Sequence, residues 1–278
     1  MKKPSKVVCG QMECAYSVSG DQAFTSDLQS NPFWDEYVVG NIEDSSENEP
    51  YVSVVQSRDL SYRGRVIYCD QAHTRAGIKF IAHHAETLRQ EASQYTVHGN
   101  VILLGEMAVA LVGGVSGIGK TSVASYATTR GHGWLSDEKF AMTDTAEYVQ
   151  GLQKVLPDTK SIAAAKGMEP DAVCAPAKCR VGMFVIPLLT DEEKPTVHEY
   201  TPDKAEYHYY GELGRNITAS CGLMRDFPCP LASADSELAA TKRAKTAGYL
   251  SKHVPMACVR GNCESIVDVC ETLATREG

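Results

Sequence analysis

The amino-acid sequence predicts an α/β protein with a mixed β-sheet core and a smaller, β-rich N-terminal lobe. Short apolar runs typical of buried strands alternate along the chain with segments whose apolar residues recur at helical spacing. Near the middle, the apolar run Met107–Val112 is followed by a glycine-rich stretch and then by a helical pattern at residues 121–130. We expect the lobe, with a linking helix, at residues 1–94 and the core at residues 95–278.

Composition narrows the classes of protein that the chain can belong to. Its 278 residues are enough for a large core, and the hydrophobic fraction of 43% is ordinary for a globular protein. A net charge of −8 and the lack of a basic block argue against nucleic acid as a partner. No signal peptide and no bilayer-length apolar run are present, so we expect a cytoplasmic protein that does not bind membranes. The ten cysteines include no C-x-x-C pair, which favours free thiols over structural zinc.

The lobe contains several strand patterns and one helical pattern. Apolar and polar residues alternate within residues 6–19, and shorter runs at 51–56 and 64–69 also have strand character. Residues 41–50 are acidic and polar, so a loop is expected there. Apolar residues at helical spacing predict a helix at residues 72–95.

The core continues the alternation of strands and helices. Strands at 101–104 and Met107–Val112 lead into the helix at 121–130, which Gly131 is placed to end, and then into a strand at Gly133–Ser136. After these elements we expect an acceptor-binding excursion at 151–180, a buried strand at 181–189 and a loop at 190–202. The aromatic residues 206–210 indicate an edge hairpin with packed rings, or alternatively a wall for a substrate or base. The last expected elements are helices at 213–227 and 235–252, a strand at 254–260, and a helix at 264–275 capped by Asn262.

The glycine-rich stretch matches the phosphate-binding pattern G-x-x-x-x-G-K-[ST] in full. A loop between a strand and a helix N-terminus lets backbone N–H groups surround phosphate oxygens, and the helix dipole favours their negative charge. Lys120 would reach the β- and γ-phosphates, and the Thr121 hydroxyl would bind Mg²⁺. The residues predicted to bind nucleotide are Gly114, Val115, Ser116, Gly117, Ile118, Gly119, Lys120, Thr121 and Ser122.

Two adjacent acids, Asp137 and Glu138, follow the strand that comes after this helix. In an open sheet, the carboxyl ends of parallel strands share one edge, where ligands bind. Phosphoryl transfer needs an acidic group for the metal and a group that orients or deprotonates the attacking oxygen. We therefore expect both acids near the γ-phosphate.

These motifs together resemble the HPr kinase/phosphorylase family, whose nucleotide core is itself similar to that of PEP carboxykinases. The resemblance rests on His98-Gly99, the loop GGVSGIGKTS and the run RGHGWLSDE at residues 130–138. It implies a P-loop core of the HPr kinase/PEP carboxykinase type, with Mg²⁺ as cofactor and ATP as co-substrate. It also implies an assembly of several copies.

The resemblance further implies roles for single residues. Asp137 would be the general base, Glu138 the acid on the metal beside Thr121, and His98 a catalytic residue near the phosphates with Lys120. The stretch VRGN at residues 259–262 resembles a later family loop of the form R-G-R-N, which suggests a phosphate contact for Arg260. The second arginine of that loop is missing here.

The predicted function is a Mg-ATP-dependent kinase that acts on a hydroxyl acceptor, either a small metabolite such as an amino acid or alcohol, or a peptide serine. A true HPr serine kinase/phosphorylase is an alternative, but the long N-terminal domain of that family does not fit into roughly 95 residues. A second alternative is an ATP- or GTP-dependent regulatory protein, and a third is a PEP-carboxykinase-like lyase. The acceptor, the choice between ATP and GTP, and the reverse phosphorolysis stay open.

Overall fold

The computed structural model describes residues 4–46, 49–114, 117–151, 179–217 and 234–276. The chain divides into two compact units. Met1–Tyr95 and Gly214–Lys242 form the first unit, and Thr96–Leu213 and Arg243–Gly278 form the second. Within the described ranges, seven cysteines are free thiols, and no helix has the length and apolar character needed to span a membrane.

The first unit is built on a mixed sheet of six strands with the order β3-β1-β2-β4-β6-β5. Among the described residues up to Tyr95, three helices and one 3₁₀ turn, at Gln71–His73, accompany the sheet. The elements in chain order are β1 (Ser5–Cys9), β2 (Met12–Ser19), α1 (Gln22–Ser30), α2 (Phe33–Tyr37), β3 (Asn41–Asp44), β4 (Val52–Gln56), β5 (Ser61–Arg63), β6 (Val66–Cys69) and α3 (Thr74–Glu91).

The prediction of a loop at residues 41–50 is wrong at its start, because Asn41–Asp44 forms the edge strand β3, paired antiparallel with β1. All four of its residues are exposed, so no apolar alternation marks it as a strand. The helices α1 and α2 were not predicted. The predicted helix at 72–95 is α3, but it stops at Glu91, and the chain enters the next strand at Gln94.

Residues 234–242, which also belong to the first unit, contact α3. Thr87 donates to the carbonyl oxygen of Ala234 at 3.1 Å, and the Ser236 hydroxyl donates to Glu91 at 2.6 Å. Lys242 donates to the backbone oxygen of Glu91, also at 2.6 Å. The C-terminal half of α3 therefore holds the start of the next long helix.

The second unit is built on a mixed sheet with the order β11-β10-β7-β8-β12-β14-β13, and β9 pairs with β7 beside this path. The elements are β7 (Gln94–Leu104), β8 (Met107–Val112), α4 (Lys120–Thr129), β9 (Gly133–Ser136), β10 (Lys139–Thr143), β11 (Tyr148–Gly151), β12 (Arg180–Leu189), β13 (Thr196–Glu199), α5 (Pro202–Gly214), α6 (Glu237–His253), β14 (Met256–Gly261) and α7 (Cys263–Arg276).

One face of this sheet is covered by α4 and α7. Side chains such as Val123 and Ala127 of α4 and Ile266 of α7 form one buried cluster with Leu111 and Val185 from the strands. The helix α4 ends where it was expected to, since Gly131 follows it with φ +86°, a conformation that favours glycine. Burial of these apolar faces fixes both helices on the sheet.

Two predictions in the second half of the chain are wrong. The expected loop at 190–202 contains the exposed edge strand β13, and the expected aromatic hairpin at 206–210 lies inside the helix α5. Tyr209 is fully buried against Phe184, with 5.0 Å between ring centroids, and its hydroxyl donates to the Val254 carbonyl at 2.9 Å. Tyr207 on the same helix is 80% exposed, so the aromatic residues lie on different faces of α5.

Several further predictions concern the second half of the chain. The strand at 181–189, the helix at 235–252, the strand at 254–260 and the helix at 264–275 are confirmed as β12, α6, β14 and α7, with small shifts at their ends. The strands β10 and β11 were not predicted. Residues 152–178 of the excursion expected at 151–180 lie outside the described residues, and so do residues 218–227 of the helix expected at 213–227.

Candidate functional site

Several strand ends of the second unit meet at one edge of its sheet. Since β7 runs antiparallel to both β8 and β9, these two strands point the same way and end near each other. Gly99 of β7 pairs with Val112, the last residue of β8, and Val101 pairs with Ser136, the last residue of β9. The segment of β7 from His98 to Asn100 therefore lies between the start of the glycine-rich loop and the two acids.

The glycine-rich loop begins directly after β8 and ends at α4. Gly113 has φ +135°, and a Cβ atom there would lie 2.5 Å from the Ile118 side chain. Gly119 caps α4 with φ +107°, and a Cβ atom there would lie 2.6 Å from Leu189 at the end of β12. A side chain at Gly113 or Gly119 would thus be strained by the backbone and by its neighbours.

The loop residues predicted to bind nucleotide are only partly described. Gly114 and Gly117 are exposed, whereas Ile118, Gly119 and the first-turn residues Thr121 and Ser122 are half-buried. Val115 and Ser116 lie outside the described residues. The exposed part of the loop and the N-terminus of α4 are thus accessible at the same edge.

Lys120 is the first residue of α4, and it is 9% exposed. Its Nζ atom donates to the backbone oxygen of Gly113 at 3.1 Å, so the side chain folds back along the loop. A helix N-terminus presents unpaired backbone N–H groups and a positive dipole end, both of which attract anions. The ammonium group of Lys120 adds a full positive charge beside them.

Asp137 is a buried carboxylate at the end of β9, with 5% of its surface exposed. Its Oδ1 atom accepts hydrogen bonds from Nδ2 of Asn100 at 2.6 Å and from the hydroxyl of Thr121 at 3.5 Å. Burial, together with the neighbouring charge of Glu138, raises the pKa of Asp137 from 3.8 to about 6, although these hydrogen bonds act in the opposite direction. The structure thus brings Thr121 and Asp137 into direct contact.

Glu138 turns the chain from β9 into β10 with a positive φ of +65°. Its backbone oxygen accepts from the N–H of Gly99 at 2.9 Å, which ties the turn to β7. Its carboxylate lies 3.8 Å from Nε2 of His98, and both side chains are about one third exposed (32% and 28%). His98 and Glu138 therefore form a second, more accessible polar pair beside the buried Asp137.

The structure places Arg260 at the same end of the sheet, near the end of β14, but in an ion pair. Its guanidinium donates to Glu192 at 2.9 Å, and both side chains are about half exposed. Two residues further on, Asn262 accepts from the N–H of Ser265 at 2.8 Å and caps α7, as predicted. Among the described residues, no hydrogen bond or ion pair links Arg260 to the loop or to Asp137.

The first residues of the run RGHGWLSDE do not join this site. Arg130 pairs with Asp268 and, at 3.0 Å, with Glu271, both on α7. Nε2 of His132 lies 2.6 Å from Glu271 as well. This part of the motif therefore fastens the end of α4 to α7.

Asn100 belongs to the site, and sequence reasoning missed it. It is 1% exposed and makes the shortest described contact to the Asp137 carboxylate. The available signal was a polar residue within an otherwise apolar strand, two positions after His98 and hence on the same face of β7. Its neighbour Gly99 allows β8 to come close, since a Cβ atom there would lie 2.5 Å from the Leu111 carbonyl oxygen.

Comparison with known proteins agrees with the resemblance that the motifs indicated. No protein-family model matches the chain. Two proteins described as HPr kinase/phosphorylase, from a Thermoanaerobacter species and from Thermoanaerobacter pseudethanolicus, are each 32% identical to it over 108 residues. The match covers 36% of this chain and 35% of each relative, so the chain spans about a third of the length of the curated relatives it matches. The resemblance is thus confirmed as a distant and partial similarity at the level of the family.

Proposed function

We propose that the chain is a Mg-ATP-dependent phosphotransferase that moves the γ-phosphate to a hydroxyl acceptor, with Asp137 as the general base. The observation that carries the proposal is the contact between Thr121, in the first turn of α4, and the buried Asp137 carboxylate, 3.5 Å apart. This contact supports the proposal, because it joins a carboxylate to the first turn of the helix at whose N-terminus phosphates would bind. The partial similarity to HPr kinase/phosphorylase supports the same class of reaction.

The residues at this edge suit Mg²⁺. The ion prefers oxygen ligands and is commonly bound by one or two carboxylates together with substrate phosphates. Thr121 and Glu138 would supply a hydroxyl and a carboxylate, and the phosphates of the bound nucleotide would supply further oxygen ligands. Among the described residues, no group of three or more His, Cys, Asp or Glu could hold a metal ion. The repulsion between Asp137 and Glu138, which helps to raise the pKa of Asp137, would be relieved by a divalent cation. Mg²⁺ would neutralise charge on the phosphates.

The remaining residues have roles that follow from their positions. The loop from Gly114 to Gly119 and the ammonium group of Lys120 would bind the β- and γ-phosphates. Asp137 would take the proton of the acceptor hydroxyl, which suits a carboxylate whose pKa of about 6 lies close to neutral pH. His98, paired with Glu138 at 3.8 Å, would lie beside the transferred group.

The acceptor is proposed only as a class. A small hydroxyl metabolite and a peptide serine both fit the chemistry of Asp137. The residues that would select between them are expected at 151–180 and 198–225, of which 152–178 and 218–225 lie outside the described residues. HPr appears in the names of the relatives, and phosphorylation of HPr by this chain is the narrower form of the same proposal.

The test is an incubation of the protein with Mg²⁺, γ-labelled ATP and pools of hydroxyl metabolites and serine peptides, followed by mass analysis. We expect one class of acceptor to gain phosphate and ADP to form in equal amount. The variant Asp137→Asn should keep its affinity for ATP and lose transfer by roughly 10²- to 10⁴-fold, the usual contribution of a general base. Lys120→Met should lose affinity for ATP.

Two results would contradict the proposal. Unchanged transfer in Asp137→Asn would remove the base assignment, and ATP binding without any labelled product would favour a nucleotide-dependent regulator. The regulator would instead change its binding partner when ATP replaces ADP, which a pull-down with each nucleotide can detect.

A further inference from the structure

The contact between Asn100 and Asp137 is short, buried and directional. Nδ2 of Asn100 lies 2.6 Å from Oδ1 of Asp137, and the two residues are 1% and 5% exposed. A carboxylate oxygen can only accept, so the amide must present its NH₂ group and not its oxygen. Hydrogen bonds to an ionised acceptor are stronger than neutral ones, and burial strengthens them further. This bond therefore restricts rotation of the carboxylate.

The hydrogen bonds on the two carboxylate oxygens are unequal. Oδ1 accepts from both Asn100 and Thr121, which matches its two lone pairs. The backbone N–H of Glu138 also acts on the carboxylate and lowers the pKa of Asp137. Even if that N–H points to Oδ2, one lone pair of Oδ2 is left for a proton.

We propose that Asn100 is a positioning residue that holds Asp137 by Oδ1 and so makes Oδ2 the oxygen that accepts the acceptor's proton. The proposal rests on the proposed phosphotransferase function. It assigns no contact between Asn100 and the reacting groups, because Asn100 acts through the orientation of Asp137.

The hydrogen bond from Asn100 can be kept both before and after Asp137 takes the proton. The acceptor oxygen forms a bond to the γ-phosphorus as the bond between that phosphorus and the β–γ bridging oxygen breaks, and ADP leaves with the bond's electron pair. The acceptor's O–H bond also breaks, and its proton moves to Oδ2. Oδ1 then becomes the carbonyl oxygen of a carboxylic acid, and it still accepts from Asn100. A donor at Oδ1 thus fixes Asp137 without having to move during transfer.

The position of Asn100 on β7 explains why its side chain is held firmly beside Asp137. Register pairs Asn100 with Leu111 of β8, and the following residue Val101 pairs with Ser136 of β9, next to Asp137. A side chain that comes from a strand between two others is held more rigidly than one on a loop. Its backbone cannot shift without disturbing both neighbouring strands.

The test is a double-mutant cycle between Asn100→Leu and Asp137→Asn. It measures the affinity for ATP and the transfer of γ-labelled phosphate from Mg-ATP, both to water and to whichever acceptor gains phosphate in the incubation with hydroxyl metabolites and serine peptides. Asn100→Leu keeps a similar volume and removes the donor, and Asn100→Ala removes the donor with a smaller side chain in case the leucine variant does not fold. Ser136→Ala is the matched control, because its hydroxyl is buried beside Asp137 but donates to the Lys139 carbonyl at 2.5 Å.

We expect Asn100→Leu and Asn100→Ala to lower kcat by roughly 10- to 100-fold with little change in the affinity for ATP, since small misplacements of a reacting group have effects of this size. In the Asp137→Asn background, Asn100→Leu should change kcat by less than about twofold, because the group it positions is already lost. Ser136→Ala should stay close to the wild type.

Two outcomes overturn the positioning role while the proposed function stands. One is a wild-type kcat in the Asn100 variants when Asp137→Asn is inactive. The other is an equal loss from Asn100→Leu with and without Asp137, which would indicate a merely structural role. A wild-type protein that transfers no phosphate to any acceptor or to water overturns both the function and this inference.

Discussion

The buried charge of Asp137 lowers the free energy of unfolding, and the variant Asp137→Asn measures by how much. The carboxylate is 5% exposed, lies at the end of β9 and is adjacent to a second acid. These surroundings disfavour the ionised form, as the raised pKa of Asp137 indicates. An asparagine has nearly the same shape, and its side-chain oxygen can still accept from Asn100. The variant therefore removes the buried charge with little change in packing.

The size and sign of the effect follow from linkage. The pKa of Asp137 rises from 3.8 in an unfolded chain to about 6 in the folded protein, so the folded state binds this proton more tightly. The contribution of Asp137 to stability is then greatest at low pH and decreases as the pH rises through this window. A difference of about two pH units corresponds to about 3 kcal/mol, which is fully expressed above pH 6. The stability gained by Asp137→Asn should accordingly grow by about 3 kcal/mol between pH 3 and pH 7.

The assay is urea denaturation of both proteins at a series of pH values, with EDTA and without nucleotide. Asp21→Asn is the matched control, because the pKa of Asp21 is lowered by the hydrogen bond from the N–H of Phe24. Its dependence on pH should have the opposite sign, with wild-type stability relative to the variant lost as the pH falls. A gain in Asp137→Asn that is the same at every pH, or no gain at neutral pH, would refute the reasoning.

Three shorter predictions concern the supports of the site. Gly99→Ala should lower the free energy of unfolding by about 1–3 kcal/mol, because the Cβ would lie 2.5 Å from the Leu111 carbonyl oxygen; a urea series equal to that of Gly211→Ala, at a helical position of α5 with open space around it, would contradict this. Asn262→Ala should cost about 1 kcal/mol through loss of the α7 cap, and an unchanged melting temperature would argue against the cap. Lys120→Met should weaken the binding of a fluorescent ATP analogue at least about tenfold, so an unchanged Kd would exclude Lys120 from the phosphate site.

Buried strands could be predicted from the sequence, whereas exposed edge strands could not. The strand β8 is a continuous apolar run with five of its six residues buried, and the prediction gives its bounds correctly. In contrast, β3 and β13 are exposed along their whole length, so neither shows the apolar periodicity on which strand prediction depends. Their strand character comes from hydrogen bonding to β1 and β14, which are distant in sequence from β3 and β13 respectively.

The helix α5 shows how packing decides between two interpretations of one pattern. Its aromatic residues are good strand formers, and the sequence therefore favoured a hairpin. One of them, Tyr209, becomes fully buried against Phe184 and reaches the Val254 carbonyl, while Tyr207 is left in solvent. Tertiary contacts of this kind can override intrinsic preference, and they cannot be read from a single segment.

The candidate site also contains residues that local sequence patterns predict and one that they do not. The sequence indicated that the loop and the two acids would lie at one sheet edge, because each follows the end of a strand. It did not indicate Asn100, whose contact with Asp137 depends on the pairing of Val101 with Ser136 across two strands that are 35 residues apart. Register between distant strands fixes such contacts, and local patterns do not contain it.

The run RGHGWLSDE is continuous in sequence, but its two ends make separate contacts. The strand β9, which lies between them, is the reason. The strand Gly133–Ser136 advances by about 3.3 Å per residue, so the residues before and after it lie on the order of 13–17 Å apart. Before the strand, Arg130 and His132 bind the acids of α7; after it, Asp137 meets Thr121 in the first turn of α4. Both ends of α4 are thus fixed by residues that flank one short strand. The first part of the motif therefore holds the helix in place, and that same helix carries Lys120 and Thr121 to the site.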